Sequence, residues 1–180
     1  QLLARLDEVG ELENTIIIVT ADHGEHFGDH KLFGHGNSLY EALVNVPLIV
    51  SWPGRVPSGQ VIDDYVSVAD LPATVCDLTG VPADLFPGDS LARYWNGKEF
   101  AIDGSRQVQS ELTGPSIFPP NHGESPIFNG PMRAVYSGSM KYIRAGDEEE
   151  LYDLASDPHE ARNLVELAEN EDVLQRFRDE

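Results

Sequence analysis

Cysteine is almost absent from this 180-residue chain: Cys76 stands alone, which excludes any internal disulfide. Lysine is scarce too. Of the 12 basic residues only Lys31, Lys98 and Lys141 are lysines, against 31 acids and a formal net charge of −19. A chain this acidic is repelled by phosphate backbones and anionic lipid, so no nucleic acid and no anionic membrane is expected as a partner. Long apolar runs are missing as well. None approaches the roughly 20 residues that a membrane-spanning helix needs, so the chain reads as soluble with no membrane span. No leader peptide is visible, but Gln1 is not an initiator residue, and this absence leaves the compartment open.

What remains is an ordinary globular composition, 41% apolar, enough for one substantial core or one core with a satellite. Two readings of the acidity stay open: a surface built for concentrated salt, where screening removes self-repulsion, and an acidic protein of the ordinary kind. Thirteen of the acids fall in residues 147–180, which reads as a solvated C-terminal face. Cys76 lies in a stretch from Val68 that patterns as a helix closed by Gly80. With Val75, Leu78 and Thr79 around it and no His or Arg nearby, it reads as core filling rather than as a nucleophile.

The run Asn14-Thr-Ile-Ile-Ile-Val-Thr-Ala-Asp22-His23-Gly24-Glu25 carries the most information. Its β-branched core predicts a strand buried on both faces, as in a parallel sheet. It ends in Asp-His-Gly, residues a buried strand has no use for. Ligands of open α/β sheets bind beyond the carboxyl ends of strands, so a carboxylate beside an imidazole at that point suggests a metal site. Against this, Asp22 as a local cap and His23 as a solvated side chain is an equal reading.

Ahead of that strand, Leu2, Leu3, Leu6 and Val9 are spaced as the last turns of a helix. Residues 24–37, rich in Gly, His and Asp, predict a loop; Ser38 to Val44 predicts a short helix and Pro47 to Trp52 a second strand. Arg106 to Glu111 predicts a third strand, and Thr113 to Pro131, with five prolines, an irregular loop. Arg133 to Arg144 alternates about Ser137-Gly138 as a hairpin does, with Glu150 to Leu154 as a further antiparallel strand. Asp157-Pro158-His159-Glu160 has the form of a capping box that opens a helix, and Leu164 to Phe177 is amphipathic. The organisation expected is an α/β part at residues 1–100 and a small C-terminal α+β subdomain at residues 101–180, with the boundary near 98–105.

His35 is flanked by Gly34 and Gly36, which would let backbone and imidazole approach a ligand closely. As imidazolium it could stabilise a tetrahedral anion or protonate a leaving oxygen. A solvated loop residue is the plainer reading, and it applies with more force to His26, His30 and Lys31.

Taken in order, Thr20-Ala-Asp-His-Gly-Glu25, Gly28-Asp-His30, Leu32-Phe-Gly-His-Gly36, Leu39-Tyr-Glu41, Val46-Pro-Leu-Ile-Val50 and Trp52-Pro-Gly54 resemble the C-terminal part of the sulfatase family, of the alkaline phosphatase superfamily. Asp70-Leu-Pro-Ala-Thr74 with Leu78-Thr-Gly80, then Met140-Lys-Tyr-Ile143 and Glu150-Leu-Tyr-Asp-Leu154 with Asp157-Pro158-x-Glu160, continue the match over nearly the whole chain. The resemblance implies a fold of α/β class: part of an alkaline-phosphatase-like parallel sheet with helices, followed by a small antiparallel sheet and C-terminal helices. It implies Asp22 and His23 as metal ligands and His35 as the catalytic residue at a position many members fill with lysine. It implies a divalent metal, Ca²⁺ first, with Mn²⁺ or Zn²⁺ if the enzyme is phosphodiesterase-like.

The family's nucleophile is a formylglycine made from Cys or Ser in a C/S-x-P/A-x-R motif. Cys76, followed by Asp-Leu-Thr-Gly, does not match it, and the motif is absent here. The implied function is hydrolysis of a small-molecule sulfate ester, with the nucleophile and the remaining ligands supplied by a missing N-terminal part of the same domain; the chain alone is then expected to be inert. Glu111 and His122 are candidate substrate contacts. The runner-up readings are a phosphodiesterase or phosphonate monoester hydrolase of the same superfamily, and a non-catalytic binding module.

Overall fold

The structure, a computed structural model, describes residues 1–82, 86–96, 107–114, 125–167 and 170–179. Along the chain it runs α1 (Leu2–Glu8), β1 (Ile17–Val19), β2 (His26–Phe27), β3 (Phe33–Gly34), α2 (Glu41–Val44), β4 (Ile49–Ser51), α3 (Asp70–Thr79), β5 (Val108–Leu112), β6 (Met132–Ser137), β7 (Met140–Ala145), β8 (Glu148–Asp153) and α4 (Glu171–Arg178). Two compact units form: Gln1–Ala21 with Pro47–Ile102, and Asp22–Val46 with Asp103–Glu180.

In the first unit β1 pairs with β4, Ile17 opposite Ser51 and Val19 opposite Ile49. The pair is antiparallel, and the described residues hold no parallel neighbour for β1. A β-branched run specifies apolar faces but not the direction of its neighbour. A parallel neighbour needs a crossover of a dozen residues or more, usually helical, and the only α-helix between β1 and β4 is the four-residue α2. Nor is the strand closed on both faces, since Val19 is 50% and Ile49 58% exposed. Helix α1 forms as its spacing predicts and buries no residue.

Helix α3 is better tied down, and its opening Asp70-Leu-Pro-Ala-Thr74 stretch is the reason. The buried Asp70 carboxylate accepts the N–H groups of Ser67 (3.1 Å) and Asp89 (3.0 Å). Buried Thr74 donates to the Asp70 carbonyl (2.7 Å) and accepts the Leu91 N–H (2.8 Å). The N–H groups of Ser67, Asp89 and Leu91 thus find acceptors on buried side chains. Cys76 lies buried and free on this helix, as its surroundings suggest.

The second unit is built on an antiparallel sheet in the order β5-β6-β7-β8. Its alternation sorts residues to two faces. Met132, Ala134, Tyr136, Ile143 and Ala145 pack with Leu32, Leu39 and Tyr40 of the 22–46 segment. Val135, Tyr142 and Leu151 pack with Leu174 and Phe177 of α4. The Tyr142 and Phe177 rings stack with centroids 5.4 Å apart. Helix α4 carries Glu171 and Asp172 in its first turn and Arg176 and Arg178 in its last, in accord with the helix dipole.

No helix opens at Asp157. The Asp157 carboxylate instead accepts the N–H groups of Ala161 (3.1 Å) and Arg162 (2.9 Å), closing a turn. Glu160 takes a left-handed φ of 52° and points inward, where its Oε1 lies 2.7 Å from Lys141 Nζ. A buried ammonium demands a carboxylate, and that demand outweighs the local capping preference. The C-terminal acids are not simply a solvated face either: Glu149 binds Arg178, Glu150 accepts the Tyr40 and Tyr152 hydroxyls, and Glu160 is buried.

Candidate active site

Asp22, His23, Glu25 and His35 share one loop of the second unit, separated from β1 in the chain by Thr20 and Ala21. The Asp22 carboxylate accepts the N–H of His23 at 3.0 Å, which holds its carboxyl below the ordinary value. His23 Nδ1 lies 2.9 Å from the Gly24 carbonyl oxygen. A carbonyl only accepts, so Nδ1 carries the hydrogen and Nε2 keeps its lone pair. That Nε2 stands 3.7 Å from Asp22 Oδ2. Two ligands each about 2.0–2.4 Å from one ion stand roughly 3–3.5 Å apart, so a slight closure brings this oxygen and nitrogen onto a common cation. The donor chemistry of the pair therefore fits a divalent metal.

His35 is held differently. Its Nδ1 lies 2.8 Å from Glu25 Oε2, so Nδ1–H is given to the carboxylate and Nε2 is left for other work. The ring stacks on His23 with centroids 4.3 Å apart and 29° between the planes. Gly34 and Gly36 on either side have φ of 78° and 69°, which lets the loop turn twice in three residues. Among the described residues His23, Glu25 and His35 form a group whose potential ligand atoms all lie within 4.8 Å of one another.

The loop is braced from behind. The Gly24 N–H donates to the Leu43 carbonyl at 2.8 Å, and a methyl group on Gly24 would stand 2.0 Å from the Ala42 carbonyl oxygen. Only glycine permits that approach between His23 and Glu25. The stretch read as a plain loop also contains the short ladder β2–β3, with His26 opposite Gly34.

The structure brings Asp22, His23 and His35 together and adds Glu25, whose role sequence reasoning missed. Its acidic side chain in the Asp-His-Gly-Glu run was visible, but its pairing with a histidine ten residues on was not. His26 departs from the solvated reading: it is 1% exposed, bonds Ser38 Oγ through Nε2 at 2.8 Å, and burial pushes its pKa down. His30 stacks on Tyr40, centroids 3.7 Å apart. Lys31 is exposed. Glu111 is exposed on β5, opposite Arg133 in register, and His122 lies outside the described residues.

A family profile described as Sulfatase matches residues 1–81. The Delta 4,5-hexuronate-2-O-sulfatase of Bacteroides thetaiotaomicron is 32% identical over 171 residues, covering 92% of this chain and 33% of its own length. The chain belongs to the sulfatase family. As a sulfatase-family chain it spans about a third of that curated relative. A solved 2-O GAG sulfatase superposes with a TM-score of 0.81 at 30% identity, covering 99% of this chain and 37% of that one. The phosphonate monoester hydrolase of Agrobacterium radiobacter superposes with a TM-score of 0.80 at 28% identity, covering 99% and 36%. The fold is therefore of the alkaline-phosphatase-like α/β class, with its small antiparallel sheet and helices.

Proposed function

We propose that this chain is the C-terminal part of a metal-dependent sulfatase that hydrolyses sulfate esters by way of a formylglycine located outside it. The observation that carries the reading is the arrangement of one loop: an Asp22–His23 donor pair beside a His35 imidazole anchored by Glu25. Asp22 and His23 would hold the cation, which on this reading is Ca²⁺ and when bound supplies Lewis-acid stabilisation of charge on the ester oxygens. Glu25 fixes the His35 tautomer and ring orientation, so that Nε2 is the working nitrogen. As imidazolium, His35 donates from Nε2 to a sulfate oxygen and can pass its proton to the departing alcohol oxygen. Stacking on His23 keeps that nitrogen beside the metal pair. The name of the hexuronate sulfatase makes sulfated sugars the first substrates to assay.

A second reading has an observation of its own. Two imidazoles at positions 23 and 35, together with the likeness to a phosphonate monoester hydrolase, favour a phosphoester or phosphonate substrate with Mn²⁺ or Zn²⁺. Paired assays of the whole protein on an aryl sulfate and an aryl phosphodiester separate the two. Preferred turnover of the sulfate is expected; dominant turnover of the phosphodiester overturns the first reading. In the same protein His23→Ala should lower bound metal, and unchanged metal content by elemental analysis removes His23 from the ligand set.

A further inference from the structure

Among the described residues Lys141 is the largest fully buried side chain, and it sits on β7 far in sequence from the catalytic loop. Its Nζ lies 2.9 Å from Glu41 Oε1 and 2.7 Å from Glu160 Oε1. The Tyr136 hydroxyl, opposite Lys141 across β6 and β7, donates to the same Glu41 oxygen at 2.6 Å. Glu160 completes the arrangement by accepting the Glu41 backbone N–H on Oε2 at 2.7 Å. The first residue of α2 is thus gripped by its side chain and its main chain at once. The next two residues of that helix, Ala42 and Leu43, present the carbonyl groups against which Gly24 is packed and bonded.

We infer that Lys141, Glu41 and Glu160 are positioning residues that set the placement of the His23–Gly24–Glu25 backbone through α2. A buried ion cluster is a weak source of stability compared with apolar residues of similar volume, but it fixes geometry because its members tolerate few arrangements. Leu39 and Tyr40 already supply apolar anchoring for the segment. Hydrophobic contacts fill space without specifying register to a fraction of an ångström; short charge-assisted hydrogen bonds to a helix N-terminus do. Glu160 keeps a left-handed backbone to serve the cluster, a conformation that a non-glycine residue holds only when its surroundings over-determine it. The Leu39-Tyr-Glu41 and Asp157-Pro158-x-Glu160 motifs, far apart in sequence, meet here and find a common purpose.

This inference rests on the reading of the Asp22–His35 loop as the active site, and the test separates the two. In the whole protein, Glu160→Gln keeps the shape and an acceptor for the Glu41 N–H but removes one charge. Its kcat on the aryl sulfate should fall about 10- to 100-fold with KM within about threefold, the cost of a small misplacement of catalytic groups. In a His35→Ala background the same substitution should change kcat less than about twofold, because a misplaced loop has less left to lose. An undiminished loss in that background overturns the inference. Hydrogen exchange gives a readout that needs no turnover: amides of residues 22–26 should exchange at least about 10-fold faster in the variant, with those of β6 and β7 unchanged. Unchanged loop exchange overturns it as well. Should the wild-type protein turn over neither ester, the functional reading fails while exchange still decides the positioning role. If Glu160→Gln does not fold, Tyr136→Phe, which removes one hydroxyl from Glu41, is read by the same two measurements with the same two outcomes.

Discussion

The β1–β4 pair and the β5–β8 sheet make opposite use of similar residues. Strand β1 is almost wholly β-branched, yet Val19 is half open to solvent, as is its partner Ile49. Strand β6 alternates less purely, with Arg133 between Met132 and Ala134, yet both its faces are covered. Hydrophobicity of a strand states what it would gain from burial; coverage depends on what the rest of the chain brings to each face. In the second unit α4 and the 22–46 segment supply that coverage. In the first, the buried polar groups Asp70 and Thr74 satisfy backbone donors beside a few buried apolar residues, Ala73, Cys76, Leu91 and Ala92.

This contrast can be broken by substitution. The largest effect belongs to Leu151→Ala, which opens a cavity beneath a fully buried side chain and should cost about 3–5 kcal/mol in urea unfolding. A cost below about 1 kcal/mol would mean that the doubly covered sheet is not the stable core. Asp70→Ala comes next, at about 2–3 kcal/mol, because it orphans the Ser67 and Asp89 N–H groups; Asp70→Asn, retaining one acceptor, should cost less. Equal losses for the two variants would deny that hydrogen bonding organises the first unit.

A smaller effect is sensitive to pH. Arg178 bonds both oxygens of Glu149 and, with the Tyr142 hydroxyl, draws its carboxyl from the ordinary 4.5 down to about 2. A depressed carboxyl contributes stability that is full above its unfolded value and is lost as pH falls through its folded one. The advantage of wild type over Arg178→Ala in urea midpoint should therefore be constant above about pH 5 and shrink between pH 4.5 and 2. A pH-independent difference would show that Arg178 acts through packing alone. The smallest effect is expected of Ile49→Ala, within about 0.5–1 kcal/mol, as suits a side chain 58% exposed. A loss near that of Leu151→Ala would erase the contrast between the two sheets.

Much of the fold was legible because local chemistry and tertiary outcome agree. The Gly138 hairpin and the Cys76 helix fall where turn residues and periodicity put them, and each forms from contacts close in sequence; β4 also falls where expected, but its partner is the distant β1. Asp157 to Glu160 failed because a long-range ion pair competes with a local cap, and nothing within four residues announces Lys141. His26 failed for a related reason: a loop histidine with no special backbone gives no sign that Ser38 will bond it and Tyr40 will pack against it.

At the candidate site, sequence alone determined the residue types: a carboxylate and an imidazole after an apolar strand, and a second imidazole between two glycines. Those choices are local, and they suffice to say which chemistry the loop can carry. Tertiary structure decided how they act. It set Glu25 on His35, stacked His35 on His23, and pressed Gly24 against α2, whose first residue is gripped by Lys141 and Glu160. Those contacts join positions up to 119 residues apart. No periodicity or local propensity encodes them, because their energy is realised only once the chain has closed around them.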